Sequence, residues 1–163
     1  AERALQIGSS GDLGASYRGD RHSHASAMRP GLAYAPTVQV VIRNLSAPEA
    51  EAIPRLETTV FYDWNMRNDP AWITRDVEAL GEKVYITIDC DGLDPAIMPA
   101  VGTPEPGGLS WRETLTLLRR VMEAKTVVAA DVVELCPIPG FVAPNFLAAR
   151  LVYKLIGYRF FAR

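Results

Sequence analysis

The sequence predicts an α/β protein in three layers, α/β/α, around a mainly parallel sheet. Three observations carry that prediction. Short apolar runs alternate with stretches of helical period along the chain, the order of strands that return through crossover helices. Two of the intervening stretches open with a hydroxyl followed three residues later by a glutamate, Ser46 with Glu49 and Ser110 with Glu113, a pairing that satisfies free N–H groups at a helix start. Two of the apolar runs end in acidic residues beside long irregular stretches, as parallel strands do when a ligand binds in the crevice at their carboxyl ends.

In chain order, the expected strands are residues 5–7, 38–42, 59–62, 84–88 and 127–133, each rich in Val, Ile, Thr or aromatic residues. A helix follows Ser46, with Pro48 tolerated in its first turn. Asp69 and Pro70 open a second, with Ile73, Val77 and Leu80 on one face and Gly81 as its stop. The helix after Ser110 carries Leu115, Leu118 and Met122 at core spacing. The last helix, over residues 144–157, carries Leu147, Leu151 and Leu155. All these stripes are read as core, not as partner surfaces. Residues 12–32 and 94–108 show neither period and are expected to be long loops next to the acidic strand ends, where sites commonly lie. No internal repeat or linker divides the chain, so residues 1–163 are read as one domain.

Composition sets bounds. With 48% hydrophobic and 22% charged residues and a net charge of −2, the chain has the balance of a soluble globular protein. It offers no basic stripe to nucleic acid. No apolar run nears the roughly 18 residues of a membrane helix, and no secretory leader is visible. Cys90 and Cys136 are read as reduced thiols of a cytoplasmic protein, a redox or soft-metal role being the alternative.

The chemistry concentrates in Asp89-Cys90-Asp91-Gly92-Leu93-Asp94-Pro95, which runs on into Gly102-Thr103-Pro104-Glu105-Pro106-Gly107-Gly108. Asp89 and Asp91 lie two apart at a strand end and so project the same way. Two such carboxylates repel unless a cation sits between them, and hard oxygen ligands suit Mg, Ca or Mn. The plainer alternative is that one Asp caps the turn and the other is solvated. Asp94, before Pro95, reads as a turn residue.

The two strings together resemble the signature of the ureohydrolases, the arginase and agmatinase family, and the TPEPGG form resembles the agmatinase branch. The resemblance implies an arginase/deacetylase-like fold. It also implies that Glu134, closing the run from Thr126, is the carboxylate that receives the substrate guanidinium. Tyr17 to His24 is similar to the family's YxGxxxSH segment, which makes His24 the active-site histidine and leaves His22 as a surface residue. Ahead of that tyrosine the family carries the metal-binding string DAHxD, where this chain has Gly8-Ser9-Ser10-Gly11-Asp12. Asp12 keeps its place, but the bridging aspartate falls on Gly8 and the metal-binding histidine on Ser10. The implied metal ligands that remain are therefore Asp12, Asp89 and Asp91. Family domains are roughly twice as long as 163 residues, so the chain is expected to be the C-terminal part of one, N-terminally incomplete.

What the resemblance implies is hydrolysis of agmatine to putrescine and urea at a two-Mn site, with other small guanidino compounds open and activity impaired at Gly8 and Ser10. The alternative is a catalytically silent relative that keeps the fold and an oligomer role. Homo-oligomers are expected on the same ground. A nucleotide-binding reading is disfavoured, since the glycines between Gly8 and Gly14 lack the GxGxxG order.

Overall fold

The computed structural model describes residues 2–161. Five strands form one wholly parallel sheet: β1 (Arg3–Ile7), β2 (Thr37–Ile42), β3 (Thr58–Tyr62), β4 (Lys83–Asp89) and β5 (Thr126–Val133), in the spatial order β3-β2-β1-β4-β5. All five expected strands are present. Their order reverses between β1 and β4, because the chain first steps outward through β2 and β3 and then returns to the far side of β1. Such a reversal opens a crevice at the carboxyl ends of the two central strands.

Helices α1 (Ala47–Ala52), α2 (Trp72–Ala79) and α3 (Trp111–Ala124) lie in the connections from β2 to β3, β3 to β4 and β4 to β5, and α4 (Val142–Phe161) follows β5. Both expected capping boxes are formed: the Ser46 and Ser110 hydroxyls accept the Glu49 and Glu113 N–H groups, and each glutamate accepts the cap residue's N–H. The core gathers Leu5, Ile7, Val38, Val40, Val84, Ile86 and Ile88 from the strands with Leu117, Leu118, Val121 and Leu151 from the helices.

Four details correct the sequence reading. Helix α2 starts at Trp72 rather than at Asp69, whose carboxylate accepts the Ala71 N–H in the preceding turn; it ends at Ala79 with an extended Leu80, and Gly81 is not left-handed. Chain direction after Leu80 is therefore set by the start of β4, not by a glycine cap. On α3 the buried face is Thr114, Leu117, Leu118 and Val121, with Leu115 and Met122 only half-buried, because Thr114 turns its hydroxyl back to the Ser110 carbonyl and fits the interior. The stretch 12–32 is not wholly irregular: a 3₁₀ turn at His24–Ser26 and one helical turn at Met28–Gly31 lie within it. Finally, α4 buries Pro144, Ala148, Leu151 and Leu155 but exposes Phe146, Val152, Tyr153, Ile156 and Phe160. A helix apolar on every side has more than one face to cover, and among the described residues nothing covers this one. It adjoins β5, an edge strand with Val128 and Val133 exposed.

Among the described residues no helix is long and apolar enough to cross a membrane. Both cysteines are free, Cys90 buried and Cys136 exposed. Burial, and then the neighbouring Asp89, push the Cys90 thiol up to about 12, so it stays protonated and inert at neutral pH.

Candidate active site

At the reversal point, the end of β1 and the turn after β4 touch. A Cβ added to Gly92 would lie 2.9 Å from the Gly8 nitrogen and 3.0 Å from its Cα, so only a glycine at Gly92 allows the two backbones to come this close. This approach lets the Ser9 N–H donate to Asp91 Oδ1 at 2.8 Å and the Ser9 hydroxyl donate to Asp91 Oδ2 at 2.7 Å. The Thr103 hydroxyl donates to the same Oδ2 at 3.2 Å.

Strand alternation carries Asp89 only. β4 stops there, and Asp91 lies in the 3₁₀ turn Cys90–Gly92, whose first N–H groups are capped by the Asp89 carboxylate accepting the Asp91 N–H at 2.8 Å. The two acids still face one cavity, but a turn rather than a strand aims the second. Asp94 is the expected turn residue, accepting the Ala96 N–H at 2.8 Å.

The cavity, about 220 Å³, is lined by Gln6, Ser10, Asp12, His24, Thr87, Asp89, Asp91, Thr103 and Glu134, among others. The structure thus brings together all five expected acidic and imidazole positions, from the ends of β4 and β5, the turn after β4 and the 12–32 stretch, and Ser10 with them. Asp12 and Glu134 hold left-handed backbones, with φ of 51° and 62°. Non-glycine residues in that region persist only where their surroundings dictate it, and they cluster at functional sites. Burial, then Asp91, Glu49 and Glu134, raise the Asp12 carboxyl to about 7 against a bond from Gln6 that lowers it. Burial and the adjacent Asp91 raise Asp89 in the same direction. His24 is exposed at the mouth, its ring edge against Tyr17 at 5.4 Å, and His22 is exposed on the surface.

Two buried glutamines went unread in the sequence. Gln6 and Gln39 stand opposite each other on β1 and β2 and hydrogen-bond through their amides. Gln39 also donates to the Gly11 carbonyl at 2.6 Å, while Gln6 donates to the Ser10 carbonyl at 3.2 Å and to Asp12 at 3.4 Å. The pair suspends the Ser10–Asp12 loop over the sheet. A polar residue at the same register in two apolar strands was the available signal.

The donor set does not fit a pair of divalent ions. Gly8 offers no ligand atom and Ser10 only a neutral hydroxyl. Among the described residues no three His, Cys, Asp or Glu side chains are grouped as a metal would require.

Residues 4–157 match the model of the arginase family. The chain belongs to the arginase family. Among its relatives, the N(1)-aminopropylagmatine ureohydrolase of Synechocystis sp. is 42% identical over 156 residues, covering 94% of this chain and 51% of that protein. The agmatinase of Pyrococcus horikoshii is 30% identical, covering 90% and 51%. The structure of the agmatine ureohydrolase of Thermoplasma volcanium superposes with a TM-score of 0.86 at 28% identity, over 96% of this chain and 54% of that one. This arginase-family chain therefore spans about half the length of the curated relatives it matches, and its three-layer parallel fold is theirs over that span.

Proposed function

We propose that this chain carries the guanidino-binding site of an agmatinase-type ureohydrolase, with hydrolysis impaired in this sequence. The observation that supports it is the convergence of Asp12, Asp89, Asp91 and Glu134 with His24 on one cavity at the strand reversal. A guanidinium is a planar cation with five N–H donors and no acceptor, so carboxylates along its edges match it in charge and geometry. Glu134, at the end of β5, is assigned the paired contact with that group. His24, across the mouth, is assigned the place beside the amine end, where an imidazole can hold or pass a proton.

The family's reaction, agmatine to putrescine and urea at two Mn ions, needs ligands that Gly8 and Ser10 do not supply, so no step of it is assigned to this chain. The relatives' names support agmatine and its N1-aminopropyl derivative as the compounds bound. A cytoplasmic, homo-oligomeric protein is part of the same proposal. The second reading, a silent relative with an oligomer role, is favoured by the uncovered apolar face of α4 beside β5.

Calorimetric titration of agmatine and N1-aminopropylagmatine decides between them. The parent should bind, and Glu134→Gln should weaken binding about tenfold or more, the size of a lost charge-assisted pair. Absence of binding by the parent, or equal binding by both proteins, leaves the silent reading. The double variant Gly8→Asp with Ser10→His should gain Mn binding; a Cβ at Gly8 would have as its nearest neighbours the Gln6 amide nitrogen, at 3.2 Å, and Asp89 Cβ, at 3.5 Å. If it gains none, either the family alignment at Gly8–Asp12 is wrong or the ligands this chain lacks are indispensable.

A further inference from the structure

We infer that Arg43, just past the end of β2, is the positioning residue of the carboxylate site, its guanidinium holding Asp91 and the 102–108 loop in one register. The assignment deepens the guanidino-site reading and rests on it only for what the site binds.

Five contacts define the role. Arg43 Nη2 donates to the Asp91 carbonyl at 2.7 Å and to the Glu105 carbonyl at 2.9 Å; Nε donates to the Pro106 carbonyl at 3.0 Å and to that of Glu105 at 3.3 Å; Nη1 donates to the Val41 carbonyl at 3.2 Å. One side chain thus gathers carbonyls from β2, from the turn after β4 and from a loop 62 or 63 residues away. Asp91 is held by its backbone through Arg43 and by its carboxylate through Ser9 and Thr103, and Thr103 belongs to the loop that Arg43 clamps.

The backbone around Arg43 is shaped to it on both sides. Val41, fully buried, has φ 67° at the irregularity between β2 and β3, where the paired residues skip from Val40 to Ile42. A β-branched residue in the left-handed region is strained and persists only where neighbours dictate it. Here that turn brings the Val41 carbonyl to the guanidinium. On the other side Gly107, φ 89°, lets the loop lie close, since a Cβ there would meet Arg43 Cδ at 3.4 Å and Asp63 Oδ2 at 2.9 Å. A flat fork of five donors serves four carbonyls in different directions; the point charge of a lysine cannot.

The test compares the parent, Arg43→Lys and Gly107→Ala by residue-resolved amide exchange, thermal unfolding and agmatine titration. Positioning predicts that in both variants exchange at the Ser9 N–H and across residues 103–109 rises at least tenfold more than in β1, β4 and α3. It also predicts that agmatine affinity falls about tenfold, and that lysine does not rescue either. Uniform loss of protection with a lowered Tm would overturn it in favour of a bulk packing role, and full protection in Arg43→Lys would overturn it in favour of charge alone. If the parent itself binds no agmatine, the guanidino-site reading fails while the exchange pattern still judges Arg43. Gly107→Ala keeps the test open should the lysine variant not fold, since it disturbs the clamp from the loop side with Arg43 intact.

Discussion

Replacing Asp76 by Asn removes a charge from a place that has no partner for it. Asp76, on α2, is fully buried, and neither carboxylate oxygen has a hydrogen-bond partner among the described residues. Burial alone lifts its carboxyl from the ordinary 3.8 to about 7. The folded protein therefore keeps a proton that the unfolded chain has lost, so stability is fully present below about pH 4 and declines as pH rises toward about 7. About three units at 1.36 kcal/mol each make roughly 4 kcal/mol of stability lost across that window. The Asn variant, neutral throughout, lacks this decline. The two proteins should match near pH 4, and the variant should be the more stable by about 4 kcal/mol near pH 8, or about 8–16 °C in Tm for a chain of this size. Urea unfolding followed by circular dichroism at several values between about pH 4 and about pH 8 measures the difference. Asp12 and Asp89 are shifted in the same direction, but they titrate in both proteins and cancel from the comparison. A stability difference that stays constant across the range would refute the reasoning.

Val41→Gly should cost about 1–2 kcal/mol less than Val40→Gly, although both valines are fully buried, because only Val41 gives up left-handed strain; equal losses in urea unfolding would show that no strain is stored there. Val128→Lys on β5 or Ile156→Glu on α4 should reduce self-association seen by sedimentation, since a sheet edge with exposed valines beside an apolar helix face is an adhesive surface; a parent that stays monomeric at every concentration contradicts this. Ser110→Ala should destabilise by about 1 kcal/mol through the lost α3 cap, read as a shift in urea midpoint with unchanged slope.

Local chemistry was legible without coordinates. The five strands lie where short runs rich in β-branched and other apolar residues placed them, because such side chains suit extended backbone in a central strand like β2 and in an edge strand like β5 alike. The caps at Ser46 and Ser110 and the turn at Asp94 needed only neighbours within three residues. Asp89 and Asp91 were named from their spacing at a strand end, and Glu134, His24 and Asp12 from the family resemblance of their segments; all of them line one cavity.

Tertiary structure decided everything that depends on residues far apart in the chain. The order β3-β2-β1-β4-β5 puts the reversal between β1 and β4, and so brings Ser9 onto Asp91 across 82 positions of sequence. That contact orients the Asp91 carboxylate, a fact no spacing rule contains. The same is true of Arg43, an ordinary arginine by its neighbours, which is surrounded by carbonyls that arrive from distant loops. Helix α4 shows the limit from the other side: its composition told that it packs, but which of its apolar faces meets the sheet depends on what else stands beside β5. Secondary structure is written in periodicity and so can be read from a single stretch; burial, hydrogen-bond satisfaction and charge pairing belong to surfaces that exist only after the stretches have come together.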